Sequence, residues 1–359
     1  MTEKPKIAYA EPVDYFSEET RRKFKLGEFA ESEEIKQIKA VMLGHAVGDA
    51  LGVPVEFCSR EELDENPVTT MMGWGSYPVP KGCWSDDTSM ALATLDSLKN
   101  DRIDYDEIMK NFVAWCTENK YTPTGEMFDI GRTCMAAIRN YLVADGKTAL
   151  ECGLSDEHSN GNGSLMRIHP MALYLYYKGI PREEAIEIIH NTSAITHAHP
   201  RSKLGCEIYA RVLWAILDNP TKWSCAKALE EIQQEKGNCD SDEFYLYYRM
   251  LVKRIAMSYL HRENPDKYKQ IEREEISSTG YVIDTIEAAI WCILTTKDYK
   301  ECVLKAVNLG GDTDTIAAIA GGLAGAMYGL DAIPQEWLDV LKKRKYIEEM
   351  CESACLAWI

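Results

Sequence analysis

From Ile35 onward, apolar residues recur at three- and four-residue steps. Ile35, Ile38, Met42 and Ala46 open a pattern that continues to the end of the chain. The same period predicts helices over residues 86–100, 105–118, 130–144, 165–178, 182–194, 202–218, 224–236, 242–260, 281–295, 299–308, 313–329 and 335–346. Runs that alternate apolar and polar at strand length are scarce. The breaks carry Gly, Pro, Asn or Asp, as in VPKGCWSDD, SNGNGS and HAHPRS. The pattern describes an all-α protein with functional loops between many helices. Residues 1–32 are polar and charged and read as an N-terminal extension, leaving 33–359 as one large domain without internal repeat, linker or low-complexity tract.

Composition narrows the partners. With 46% apolar residues in 359, the chain can build a sizeable core. A formal net charge of −17 repels nucleic-acid phosphates and anionic lipid, so general nucleic-acid binding and a membrane surface are not expected; an anionic ligand in a local pocket is still allowed. The uncharged stretch 316–330 falls short of the ~20 residues a membrane span requires. Its Gly321, Gly322 and Gly325 suit close helix packing instead. The 12 cysteines are scattered without a CxxC pair, and the start, MTEKPKIAYAEP, lacks the apolar segment of a signal peptide. Reduced thiols in a cytoplasm are the expectation.

Two stretches concentrate hard oxygen ligands at predicted helix entrances. In NLGGDTDTIAAIAGG, Asp312 and Asp314 are two residues apart, a spacing that separates them on a regular helix. They converge only if the backbone turns there, and Gly310–Gly311 supplies such a turn. Asp312, Asp314 and Thr315 can then face one point. Capping of the helix N-terminus is the competing reading, and it explains one acid better than two. In CWSDDTSMAL, Ser85, Asp86, Asp87 and Thr88 repeat the arrangement. Up to four carboxylates with hydroxyls and no nitrogen or sulfur ligands suit Mg²⁺, Mn²⁺ or Ca²⁺. Two ions ~4 Å apart would be a natural occupancy. In GHAVGDALGVPVEF, Gly44 and Gly48 permit tight helix packing, Pro54 ends the helix, Glu56 follows in a loop, and Asp49 reads as a hydrogen-bond acceptor behind the ligands.

GDALGVPVEF, WSDDTSMAL, GNGSLMR, ITHAHP and GGDTDTIAAIAGGLAGAMYG, in this order, resemble the ADP-ribosylglycohydrolase family, most nearly its bacterial branch. The resemblance spans about residues 35–345. It implies a compact orthogonal multi-helix bundle with a binuclear Mg²⁺ or Mn²⁺ centre in a cleft. By motif, Ser85, Asp86 and Asp87 would ligate from one side and Asp312, Asp314 and Thr315 from the other; Ser85 stands where the family usually has Thr. Glu56 matches the family's acid on a mobile loop, and Glu56 or Asp314 is the candidate base.

The segment Gly161, Asn162, Gly163 and Ser164 would line the ADP-ribose site, its glycines letting backbone N–H groups approach anionic oxygens. Ser164 also precedes a predicted helix, whose N-terminus attracts phosphate. His197 would point into the cleft near the diphosphate or ribose. Asp129 and Gly131, in GEMFDIGRTC, would contact a guanidinium, either as a bidentate acid or, alternatively, with Asp129 as a helix cap.

The implied activity is hydrolysis of the N-glycosidic bond of ADP-ribosyl-arginine on a protein, releasing ADP-ribose. Serine-linked or O-acetyl-ADP-ribose, or a small-molecule conjugate, is the alternative substrate. A non-catalytic ADP-ribose-binding relative is a third reading, and it would normally lack the metal carboxylates that this chain has. A monomer or weak oligomer is expected.

Overall fold

The helical period is realised along nearly the whole chain. The computed structural model describes residues 32–143, 146–236, 252–261 and 270–359. Its helices are α1 (Glu33–Gly52), α2 (Arg60–Glu65), α3 (Asp86–Leu98), α4 (Tyr105–Glu118), α5 (Arg132–Val143), α6 (His169–Tyr177), α7 (Arg182–Ala194), α8 (Pro200–Asp218) and α9 (Lys222–Lys236). They continue with α10 (Val252–Leu260), α11 (Val282–Thr295), α12 (Tyr299–Val307), α13 (Thr313–Tyr328), α14 (Gln335–Leu338) and α15 (Arg344–Trp358). Among the described residues there is no β-strand, only two isolated bridges, so the fold is all-α. The expected extension lies outside the described residues apart from Ser32, whose hydroxyl caps α1 by accepting from the Ile35 N–H at 3.3 Å. The expected helix 242–260 is described only from Val252.

The centre of the fold is the antiparallel pair α1 and α13, which pack on each other more extensively than any other two elements. Small residues every four positions on both helices remove the side chains between them. A Cβ on Gly44 would sit 2.5 Å from the Gly321 carbonyl oxygen, on Gly48 2.1 Å from that of Ala317, and on Gly325 1.9 Å from that of Ala40. Backbone therefore lies on backbone, which only glycine allows. The Tyr299 hydroxyl donates to the Gly44 carbonyl at 2.7 Å and locks α12 onto the pair. The stretch 33–55 is long and apolar enough to cross a bilayer by length and composition alone, but here it is the buried core helix. The register has a direct consequence: the C-terminus of α1 meets the N-terminus of α13, with Gly52 against the Asp314 backbone.

Three boundaries differ from the periodic reading. The expected helix 335–346 ends at Leu338. Lys343 takes a left-handed conformation (φ 47°) and α15 starts afresh at Arg344, burying Ile347, Met350, Cys351, Ala354 and Trp358. The short α2 was not anticipated; Ser59 and Glu62 form its capping box. Residues 163–167 form turns and α6 begins at His169, next to Pro170 in its first turn. Ser164 therefore does not open a helix.

Candidate active site

The helix register brings the two acid-bearing segments into contact. Gly310 and Gly311 have φ of +74° and +75°, the turn that lets Asp312 and Asp314 converge. Asp312 stands at the N-cap position of α13 but makes no capping bond. Its Oδ2 instead accepts from Asn162 Nδ2 at 2.7 Å, so the capping reading fails for this acid. Asp314 Oδ1 accepts from the Thr315 N–H at 2.9 Å. Thr315 Oγ1 donates to Asp87 Oδ2 at 3.2 Å, joining segments 228 residues apart.

On the other side Ser85 caps α3, accepting from the Asp87 N–H at 3.3 Å and donating to Asp87 Oδ2 at 3.2 Å. Asp49, on α1, accepts from the Ser85 N–H (2.8 Å), the Thr88 N–H (3.0 Å) and Thr88 Oγ1 (2.6 Å). It thus holds the start of α3 in place, and its charge adds to the upward push on Asp87 and Asp86. Gly131 donates its N–H to Asp86.

The cluster is electrostatically unfinished. Carboxylate oxygens of Glu56, Asp312 and Asp314 lie within 4.8 Å of one another. Glu56 Oε2 and Asp87 Oδ1 are buried without a hydrogen-bond partner. Burial, then the charge of Asp129, pushes Glu56 up to about 8. Burial is also the first cause for Asp86, Asp87 and Asp314, all held well above the usual carboxylate range, with neighbouring acids adding to it. Orphaned, mutually repelling hard oxygens are what a divalent-cation site looks like before the cation supplies the missing charge, so the donor set fits such ions.

Glu56 is held by partners that the sequence did not reveal. The Phe57 N–H donates to the Gly311 carbonyl and the Gly311 N–H to the Cys58 carbonyl, both at 2.8 Å, so the Glu56 loop and the Asp312 turn are paired through backbone. Arg60 stitches the same elements together: Nε donates to Leu309 O (2.9 Å), Nη1 to Arg273 O (2.8 Å) and Nη2 to Ile276 O (2.7 Å). The Tyr77 hydroxyl bonds both Glu56 and Asp129. A cavity of about 700 Å³ opens beside them, lined by Glu56, Phe57, Arg60, Thr279, Gly280 and Asp312.

Loss of three hydrogen bonds at about 1 kcal/mol each would let the Glu56 loop open far more often. Arg60→Met is therefore expected to speed amide exchange across residues 54–62 by at least about tenfold, with α3 unchanged. Equal exchange in both proteins would show that other contacts hold the loop.

The glycine loop lies on the far side of Asp312. The Asn162 N–H donates to Gly280 O and the Val282 N–H to Asn160 O, each at 3.0 Å. Asn162 Nδ2 also donates to Thr285 Oγ1 at 2.9 Å. His197 is buried behind the loop; a Cβ on Gly163 would come within 2.9 Å of its ring. Burial, then the nearby Arg167, pushes its pKa down to about 3, so the ring is neutral. Arg167 Nη2 donates to Thr196 Oγ1 at 2.7 Å, and a guanidinium can only donate. The Thr196 proton is then directed to His197 Nδ1, 2.9 Å away. That places the ring proton on Nε2, the nitrogen facing the Gly161–Gly163 backbone. Ser164 is fully buried, its hydroxyl accepting from Ser193 Oγ at 2.9 Å.

The ADP-ribosylglycohydrolase sequence profile matches residues 30–358. The chain belongs to the ADP-ribosylglycohydrolase family. Among its curated relatives, the ADP-ribosylarginine hydrolase Tri1 of Serratia proteamaculans is 32% identical, covering 90% of this chain and 80% of the relative. The ADP-ribosyl-[dinitrogen reductase] glycohydrolase of Rhodospirillum rubrum is 31% identical, covering 83% of this chain and 88% of the relative. A solved structure titled ADP-ribosylglycohydrolase-related protein complex superposes with a TM-score of 0.71 at 28% identity, covering 91% of this chain and 99% of the other. This family member brings the acids of the cluster close enough that Asp129 and Glu56 raise Asp86, Asp86 and Asp312 raise Asp87, and Glu56, Asp87 and Asp312 raise Asp314.

Proposed function

We propose that the chain hydrolyses ADP-ribosyl-arginine on protein, releasing ADP-ribose, with two Mg²⁺ or Mn²⁺ ions as cofactor. The observation that carries the reading is the buried convergence of acids from the loop after α1, from α3 and from the start of α13, with oxygens of Glu56 and Asp87 left unpartnered. The arginine linkage is supported by the name of the relative with 32% identity, and a protein substrate by that of the relative with 31%. All eleven cysteines of the described residues are unpaired, which suits a reducing cytoplasm. A monomer or weak oligomer suffices, since this chain supplies every proposed role.

Ser85, Asp86, Asp87, Asp312, Asp314 and Thr315 would hold the ions. When bound, the pair supplies positive charge among the acids and Lewis acidity toward ribose hydroxyls and water. The chain's own groups supply the rest. Glu56 is the better base of the two candidates: its Oε2 is free to take a proton from the attacking water, whereas Asp314 Oδ1 is engaged by the Thr315 N–H. Asp129 pairs with the cationic guanidinium of the bound substrate and orients it; as the anomeric bond breaks its electron pair passes to the guanidine nitrogen, and the neutral guanidine takes up the proton that Glu56 removed from water. Tyr77 spaces Asp129 from Glu56. The Gly161–Gly163 backbone offers neutral donors to the diphosphate, with His197 Nε2–H supporting the loop from behind and Asn162 fixing it against Asp312.

The test is release of ADP-ribose from arginine-, serine- and acetyl-linked substrates side by side, with Mn²⁺ or with excess chelator. Turnover of the arginine-linked substrate that stops in chelator and returns with Mg²⁺ or Mn²⁺ is expected. Full activity in chelator rejects the metal mechanism, and a preference for the serine or acetyl linkage rejects the substrate.

A further inference from the structure

Phe57 and Trp74 are two of the most exposed large apolar side chains among the described residues, at 73% and 71%. Both also stand in the left-handed backbone region, with φ of 68° and 62°. A bulky residue there is strained, and glycine or asparagine would relieve the strain. Burial cannot be what holds two aromatics in that state, because neither is buried.

The two belong to one structure. The Ser76 N–H donates to Pro54 O at 2.9 Å and the Ser76 hydroxyl bonds the Glu56 carbonyl. A Cβ on Gly75 would lie 1.7 Å from Pro54 O, so the Trp74 loop rests directly on the segment that carries Glu56 and Phe57. Met72, also exposed at 39%, adds a third apolar group on the same loop. The result is an aromatic lip beside the mouth of the acidic cavity.

We infer that this lip receives the polypeptide flanking the modified arginine of a protein substrate. The inference rests on the hydrolase reading above and extends it to substrate size. An arginine side chain reaches only about as far as two residues of extended chain, roughly 7 Å. With the anomeric carbon at Glu56, the substrate backbone must cross the surface next to Glu56, and Phe57 is the adjoining residue. Aromatic side chains supply large contact area at low ordering cost and are enriched where proteins meet. A free ADP-ribosyl-arginine reaches Phe57, which lines the cavity, but does not extend to Trp74 and Met72, which lie outside it.

Trp74→Asn combined with Met72→Ser tests this, because asparagine tolerates the left-handed backbone at 74 and neither residue lines the cavity. The paired substrates are a protein ADP-ribosylated on arginine and the single residue ADP-ribosyl-arginine. The double variant is expected to lose at least about tenfold in kcat/KM on the protein, mostly through KM, and less than about twofold on the single residue, as the loss of a contact confined to binding predicts. Equal losses on both substrates would assign the pair to the ADP-ribose site or to loop positioning. No loss on either would leave the lip without a role, and both outcomes overturn the inference. A wild-type enzyme inactive on both substrates would instead sink the hydrolase reading, and this one with it.

Discussion

Gly48→Ala is expected to destabilise the protein by about 3 kcal/mol or more, at the upper end of what overpacking costs. The added methyl would fall 2.1 Å from the Ala317 carbonyl oxygen and 2.9 Å from the Ala318 nitrogen, both backbone atoms of α13. A side chain could rotate away; a helix backbone cannot. Relief requires α1 and α13 to separate, which breaks the 2.7 Å bond from Tyr299 to Gly44 O and the 2.9 Å bond from Thr313 Oγ1 to Gly52 O.

The same separation moves Glu56 away from Asp312 and Asp314, so divalent-cation affinity falls together with stability. Thermal unfolding followed by circular dichroism gives the first quantity and calorimetric Mn²⁺ titration the second. Lys36→Ala, on the solvent side of the same helix, is the control and stays within about 0.5 kcal/mol of wild type. A Gly48→Ala protein with an unchanged unfolding midpoint would mean that the two helices are not in backbone contact.

That contact explains which parts of the molecule were legible beforehand. The glycines of α1 and α13 read as close-packing positions because their four-residue spacing is local. Nothing local says that the two helices choose each other, and that pairing decides where Glu56 lands. The acid clusters were legible for the same reason: Asp86–Asp87 and Asp312-x-Asp314 sit within one turn of a helix start. Whether Asp312 capped α13 or faced a ligand was open until its oxygen was found on Asn162, 150 residues away.

Arg60 and Tyr77 carried no signal, since they act on partners distant in the chain, and Arg60 acts on backbone carbonyls that any residue could supply. The Ser59-x-x-Glu62 capping box did mark α2, but six residues are too few to show a period. In the C-terminal segment, the basic run 342–345 hid the break at Lys343, and the apolar ladder of α15 behind it went unread. Ser164 was misplaced because the apolar pattern runs through 165–168, although Pro170 starts the helix later.

Mn²⁺ binding is expected to release at least about one proton at pH 7.5, and the affinity to weaken as the pH is lowered, by about tenfold per unit for each proton displaced. The cause is the state of the acids before the cation arrives. Burial and mutual repulsion put Glu56 near 8, so it retains a proton at neutral pH, and hold Asp86, Asp87 and Asp314 well above their ordinary range, so they keep theirs to higher pH than an exposed aspartate does. A cation competes with those protons for the same oxygens.

Linkage fixes the sign for stability as well. A carboxyl whose pKa is higher folded than unfolded binds more protons in the folded state, so its contribution is present at low pH and is lost as pH rises. For Glu56 the window runs from about 4.5, the unfolded value, to about 8. Chelated protein should therefore unfold at progressively lower temperature from pH 5 to pH 8, while Mn²⁺-saturated protein should not.

Asp87→Asn separates the two effects. It removes one buried charge whose Oδ1 has no partner, so the metal-free protein gains stability at pH 8 while Mn²⁺ affinity falls by about a hundredfold, as for loss of a metal-site group. Titration calorimetry in two buffers of different ionisation enthalpy counts the protons directly. Identical heats in both, with affinity flat from pH 6 to 8, would mean that the acids are already ionised and that burial does not govern this cluster.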